Sequence, residues 1–240
     1  SDNFECFPLG WDTEYFGVQS ARVNLKRSIS EEDQRKILEY CKQFDFVTIS
    51  NINNSSENNC WIGKKTDAFL ADVNIQFAKK IISESVFSDT QTEICNFYTR
   101  NEKIIDIAKS AFSYSRFFND PKLPEEQARN IYLHWTKCAF GRPDKYFIIT
   151  RRGNEVAGYI LFSLNNDGST AIIELIAVEE KYRGQKIGKA LIAAIESFAY
   201  NNNIANIKVG TQINNISAAQ FYISSGFQYI SCNSIYHLWI

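Results

Sequence analysis

The run Tyr182-Arg183-Gly184-Gln185-Lys186-Ile187-Gly188-Lys189 combines a fixed cation, two glycines and the start of a periodic helix. Residues 172–178 before it form an apolar run. After it, Ile187, Ala190, Leu191, Ala194, Ile195, Phe198 and Ala199 fall on one helical face. A strand therefore runs into a turn and directly into a helix. The first turn of a helix has unpaired N–H groups and the positive end of the dipole. Gly184 lets backbone approach a ligand, and Arg183 adds a forked set of donors. The chemistry this spacing offers is anion binding, with a phosphate-bearing cofactor as the natural occupant. A plain surface turn has the same composition, so the alternative stays open. The glycine patterns of NAD-binding turns and of phosphate-binding loops are absent.

A second constellation lies at residues 215–227. Asn215 is a good helix N-cap and Gly226 a good residue just past a C-terminus. Ala218, Phe221 and Tyr222 share the face between them. On spacing alone Tyr222 reads as a core aromatic whose hydroxyl finds some partner.

Other chemistries are poorly served. The six cysteines, Cys6, Cys41, Cys60, Cys95, Cys138 and Cys232, are scattered without a C-x-x-C pair. They read as free thiols in a reducing cytoplasm rather than a disulfide frame or zinc site. His134 and His237 are the only histidines and lie far apart, so no metal is expected. Net charge is -1 and the pI about 6.2, which does not suggest a nucleic-acid binder. No apolar run reaches the roughly 18 residues of a membrane helix, and no signal peptide is evident. A cytoplasmic location is the expectation.

The elements that must position these residues follow from periodicity. Ser30 with Asp33 starts a helix carrying Ile37, Leu38, Cys41 and Phe44, and residues 46–49 read as a strand. The polar stretch 53–59 reads as an exposed loop. Phe69, Ala71, Val73, Ile75 and Phe77 alternate as in a half-buried strand. Residues 1–90 thus form a small N-terminal α/β domain, and residues 91–240 a larger one. In the second, residues 94–98 are a strand, Thr99 and Glu102 a capping box, and residues 125–140 a helix. Residues 146–150 and 156–164 pair around Gly153-Asn154. Strands at 170–178 and 207–211 flank the helix that follows the Arg183 turn. Two short strands, 227–230 and 234–240, close the chain. The order from residue 92 is β-α-α-β-β-β-α-β-α-β-β.

The turn, its helix, the strand to Thr211 and Asn215…Ala218…Phe221-Tyr222…Gly226-Phe227 together resemble the GNAT N-acetyltransferases. The motifs cover roughly residues 170 to 230, and the strand order extends the match to about residue 92. The resemblance implies a mixed, mostly antiparallel central sheet flanked by helices. It implies acetyl-CoA held at Arg183, Gly184, Gln185, Lys186, Ile187, Gly188 and Lys189, with its pantetheine arm along Ile176, Ala177 and Val178. Lys186 replaces a glycine of the family pattern. The departure is tolerable if its φ is negative; if its φ is positive, it costs about 1 kcal/mol or more and distorts the cradle. Asn215 either caps its own helix or reaches the arm. Tyr222 becomes the general acid for the departing thiolate, a transfer uphill by roughly 2 kcal/mol from reference values. Glu174 is the candidate base. Ideal alternation sets it with Ile172, Ile176 and Val178, in apolar company that would raise its pKa, unless it points to solvent.

A narrower resemblance, to TDP-fucosamine acetyltransferases, rests on Leu9-Gly10-Trp11-Asp12-Thr13-Glu14-Tyr15-Phe16-Gly17-Val18. Ser115-Arg116-Phe117, Ile131-Tyr132-x-x-Trp135 and Thr211-Gln212 extend it. It implies transfer of acetyl to the 4-amino group of a nucleotide-linked amino-deoxy sugar. Ser115, Arg116, Phe117 and Trp135 would line the sugar-nucleotide site, with Arg116 meeting a diphosphate. Trp11 and Phe16 are expected in the core. Rival readings are a GNAT acting on a peptide N-terminus, an aminoglycoside or a polyamine, and a non-catalytic acetyl-CoA-binding module. The expected partner is a small-molecule amine, with no nucleic acid and no membrane. A homodimer is allowed.

Overall fold

A computed structural model describes residues 2–82, 91–96 and 98–240. The chain begins with β1 (Phe4–Pro8), α1 (Gly10–Phe16), β2 (Ser20–Leu25), α2 (Glu31–Cys41), β3 (Phe46–Asn51), α3 (Ser56–Lys65) and β4 (Phe69–Lys80). It continues with β5 (Thr92–Asn96), α4 (Glu102–Ala111), α5 (Glu125–Arg129), α6 (Ile131–Ala139), β6 (Tyr146–Arg152), β7 (Glu155–Leu164) and β8 (Thr170–Val178). It ends with α7 (Ile187–Asn201), β9 (Asn206–Gln212), α8 (Ile216–Ser224) and β10 (Gln228–Trp239). Among the described residues ten strands form one sheet, ordered β1-β2-β3-β10-β4-β9-β8-β7-β6-β5. The pairs β2–β3 and β8–β9 are parallel and the rest antiparallel. The mixed, mostly antiparallel sheet with flanking helices is the expected class.

The C-terminal strand β10 lies between β3 and β4, so the sheet runs unbroken from the first residues to the last. The expected division at residue 90 meets residues 83–90, which lie outside the described residues, as does residue 97 in the strand expected at 94–98. The two expected closing strands are a single strand, irregular between Tyr229 and Ser231. The stretch 53–59 is not a loop. Ser55 accepts from the Asn58 amide to cap α3, and buried Asn58 bridges the Arg27 carbonyl and Asn51. Asn101, rather than Thr99, caps α4 by accepting from the Lys103 and Ile104 amides. The helix expected over 125–140 breaks at Asn130, where φ is -96° and ψ 9°.

Helix α7 buries Ile187, Leu191, Ala194, Ile195 and Ala199 against Ile160, Phe162, Ile173 and Val209. The opposite face of the same strands carries Phe147, Tyr159 and Leu161 under α4 and α6. Each fully buried large apolar side chain is worth roughly 1.5–3 kcal/mol, and these two layers fix where the Arg183 turn sits. In the other half, Ala21, Val23, Leu25, Val47 and Ile49 pack on α2 and α3. Alternation then turns Arg22, Asn24, Thr48 and Ser50 to the opposite face, a row of polar side chains inside the fold.

Candidate active site

The turn before α7 is built as a ring of amides. Gly184 has φ 78°, with open space around its Cα, so only its backbone angle demands glycine. Lys186 has φ 63°, the left-handed region, and stands at the helix N-cap without a side-chain cap. The amides of Gly184, Lys186, Ile187, Gly188 and Lys189 meet no acceptor among the described residues. A turn with left-handed Gly184 and Lys186 that leaves successive amides unpaired at the start of a helix suits an anion-binding nest. Arg183, Lys186 and Lys189 are exposed around it and form no ion pair among the described residues. Gln185 turns away, its carboxamide donating to the Lys181 carbonyl at 3.1 Å. A Cβ on Gly188 would lie 3.0 Å from the Phe221 ring, so this glycine admits α8 rather than an unusual φ.

Strand β8 opens beside the nest. It pairs with β9 only over Thr170–Ile173, although β9 runs on to Gln212 and pairs with β4 along its whole length. Opposite β7, the register passes from Leu175 to Ile173, leaving Glu174 as the extra residue of a bulge. Ala177 pairs with Tyr159, and Glu179 donates to the Ala157 carbonyl. Alternation therefore aims the hydrogen-bonding groups of Ile176 and Val178 into the gap toward β9. Those of Ala177 face β7, which corrects its expected role.

The bulge also corrects Glu174. Ile173 packs with α7, whereas Leu175 and Ala177 pack with α4 and α6, so alternation fails at the residue between them. Glu174 is ion-paired with Lys145 and accepts from Trp135 Nε1 at 3.1 Å. Ile176 and Val178 join the α7 layer instead, and the expected apolar company is absent.

Tyr222 is buried, with Phe77, Phe221 and Phe227 around its ring at 5.5–5.8 Å. Its hydroxyl has no partner among the described residues, and burial pushes the phenol well above its ordinary pKa. It is a weaker acid than reference values imply. Asn215 accepts from the Ala218 amide at 3.2 Å, so its oxygen caps α8.

A cavity of about 430 Å³ lies on the polar face, bounded by Ser115, Arg116, Phe117 and Trp135, the four expected there. It also exposes residues that sequence reasoning missed: Arg22, Asn24, Ser50, Asp72, Asn74 and Asn233. Polar residues two apart in otherwise buried strands, Arg22 with Asn24 and Thr48 with Ser50, were the available signal. Arg116 lies 4.0 Å over the Phe117 ring, donates to Thr48 at 2.8 Å and stands 3.9 Å from Asp12. Burial, then the nearby Arg22, lowers its pKa to about 10, so it stays charged. Behind it, fully buried His237 donates from Nδ1 to Asp120 at 2.6 Å and turns Nε2 to Arg116 at 3.4 Å. Arg22 Nε and Asp12 Oδ2 are buried without hydrogen-bond partners among the described residues. Phe16 is in the core as expected, but Trp11 is 40% exposed, stacked on Tyr15.

Among the described residues no cluster suits a metal ion, and no helix is long and apolar enough to cross a membrane. A model of the Acetyltransferase (GNAT) family matches residues 102–227. The spore coat polysaccharide biosynthesis protein SpsD of Bacillus subtilis (strain 168) is 30% identical over 138 residues, 58% of this chain and 47% of that one. N-acetylaspartate synthetase of Xenopus tropicalis is 28% identical over 115 residues, 43% of this chain and 42% of that one. The chain thus spans about half the length of the curated relatives it matches. In fold it resembles a GCN5-related N-acetyltransferase from Sphaerobacter thermophilus, with TM-score 0.62 and 11% identity over 98% of this chain and 76% of that one.

Proposed function

Because the chain belongs to the acetyltransferase (GNAT) family, we propose that it moves acetyl from acetyl-CoA to a primary amine on an anionic small molecule. The leading acceptor is the 4-amino group of a nucleotide-linked amino-deoxy sugar. The observation that carries this reading is the nest of free amides beside an open strand edge. Both fit the cofactor: the nest suits its phosphates, and the Ile176 and Val178 backbone suits its amide-bearing arm. Bound there, acetyl-CoA supplies an activated thioester. Arg183, Lys186 and Lys189 neutralise the phosphates, and a free N–H on β8 stabilises charge on the acyl oxygen. Tyr222 gives a proton to the departing sulfur. Glu174 fixes Trp135 at the cavity wall through its hydrogen bond.

Two buried guanidinium groups in the cavity favour an anionic acceptor over a polyamine or aminoglycoside. Likeness to a polysaccharide biosynthesis protein supports a sugar. A second reading, a small amino acid with an extra carboxylate, suits the same arginines and the likeness to N-acetylaspartate synthetase.

Calorimetry with coenzyme A, followed by thiol release with dTDP-4-amino-4,6-dideoxy-D-galactose, aspartate, spermidine and a peptide, tests the proposal. Micromolar coenzyme A binding with release on the sugar nucleotide is the expected result. Release on aspartate alone establishes the second reading. Tight binding with no release on any amine makes the chain a non-catalytic module. Tyr222→Phe should lower kcat about 10²-fold or more while binding persists, and near-normal turnover removes its acid role.

A further inference from the structure

The cavity contains a carboxylate to which nothing above gives a role. Asp72 lies on β4, directly opposite Ile235 of β10. Among the described residues it is the sole acidic residue lining the cavity. Of the other acids near the site, Glu174 is engaged with Lys145 and Trp135, Asp120 with His237 and Trp239, and Asp12 faces Arg116 at 3.9 Å. Asp72 accepts no side-chain hydrogen bond and forms no ion pair within 4 Å among the described residues.

Its place in the sheet brings it to the reacting end. Asn74, on the same face two residues along, pairs with Gln212 at the end of β9. The Ile213 amide donates to the Val73 carbonyl at 2.8 Å. Asp72 therefore lies just past the last β4–β9 pair, beside the turn at 213–214 that leads from β9 to α8. Trp135, across the cavity, ties its wall to the β8 bulge. The cavity thus reaches from Asp72, past the end of β9, to Trp135, beside the β8 bulge, and an amine bound in it has the carboxylate on one side. The two arginines are left for the acceptor's anionic group.

We infer that Asp72 binds the acceptor's ammonium group and takes the proton that must leave before nitrogen can attack. The inference rests on the acetyl-transfer reading. In each turnover a carbon–nitrogen bond replaces the carbon–sulfur bond, and two protons leave the ammonium. Asp72 takes the first and passes it to solvent. The second replaces the proton that Tyr222 gives to the sulfur. The products are the amide, the free thiol of coenzyme A and one released proton.

The environment suits that exchange. Burial lifts the Asp72 carboxyl to about 6, against the lowering effects of the Val73 backbone and Arg116. A base poised near the working pH exchanges protons efficiently. The charged and titratable groups around it are Arg22 and Asp12 from the N-terminal strands and α1, Arg116 over the cavity, His237 on β10 and Tyr132 on α6.

Asp72→Asn, measured with dTDP-4-amino-4,6-dideoxy-D-galactose or whichever amine the wild type turns over, tests this. Expected are a kcat lower by 10²-fold or more, loss of the acid limb near pH 6 in kcat/KM, and unchanged coenzyme A affinity by calorimetry. Asp72→Ser rescued by added formate marks a base, because a structural carboxylate is not replaced by a free one. A readout independent of turnover is thermal stability: the wild type should lose Tm relative to Asp72→Asn as pH rises from 4 to 7. An unchanged kcat and pH profile in Asp72→Asn, with coenzyme A bound, overturns the inference and leaves acetyl transfer standing. A wild type that neither binds coenzyme A nor releases thiol overturns both.

Discussion

Lys186 holds a left-handed conformation that costs an L-residue roughly 1–2 kcal/mol, yet its side chain is exposed and unpaired among the described residues. Strain of this kind persists where the surrounding structure over-determines it and gathers at ligand-binding turns. Here the backbone angle is what aims the Lys186 and Ile187 amides outward, while the ammonium group adds charge beside them. Lys186→Gly should therefore stabilise the fold by about 0.5–1 kcal/mol, the relieved strain less the entropy of an added glycine. Coenzyme A affinity should fall by no more than about tenfold, since one exposed charge is worth about 1 kcal/mol. Urea denaturation and calorimetry check both, and a lower midpoint would show that the lysine side chain supports the turn. Arg116 shows the opposite economy. Its guanidinium is buried and is oriented by Thr48, the Phe117 ring and a neutral imidazole, with the Asp12 carboxylate 3.9 Å away. That leaves its charge available to a substrate anion.

Among the elements, α7 and α8 meet at one point that decides the shape of the nest. Gly188 lies under the Phe221 ring, where an added Cβ would sit only 3.0 Å from it. The next residue on α8 is Tyr222, so a shift at this contact moves nest and phenol together. Gly188→Val should cost about 1–3 kcal/mol through overpacking and weaken coenzyme A binding, with Phe221→Leu in the same chain restoring part of both. Stability and calorimetric titration of the two single variants and the double variant measure the coupling. Additive effects would separate the glycine from the helix contact. The bulge in β8 is the second decisive element. One extra residue moves Leu175 and Ala177 to the α4 and α6 side and leaves Glu174 in reach of Lys145 and Trp135.

For the molecule as a whole, the buried polar layer ties stability to pH in two opposing ways. Burial, with Arg116 nearby, lowers His237 to about 4 despite its bond to Asp120. Its folded value lies below its unfolded one, so its contribution is present above about pH 6.5 and lost as pH falls toward 4, roughly 3 kcal/mol at most. Burial alone would raise Asp120, but hydrogen bonds from His237, the Lys122 amide and Trp239 bring it below its ordinary value. Asp72 is raised to about 6, and its effect has the other sign: stability falls as pH rises from about 4 to 6. The two slopes offset each other in the wild type. In Asp72→Asn the histidine slope is unmasked, and urea stability should rise with pH across that window. Imidazole NMR should show His237 neutral down to about pH 5. A His237 resonance that protonates near 6.5 would place it outside the buried network.

The nest, its helix and the cap and stop of α8 were legible in the sequence because each is local. Helical period, left-handed glycine and dipole are set within a few consecutive residues, and they needed no knowledge of the fold. The four expected cavity residues were found through resemblance to a family rather than through spacing. What the chain could not reveal locally was the company of Glu174, the meeting of Arg22, Asp72 and Arg116, and the seat of β10 between β3 and β4. Strand order and a one-residue bulge decided these, and both arise from pairing between segments far apart in the chain. No short window of sequence contains that information, because a slip of one residue in any such pairing turns every side chain to the other face.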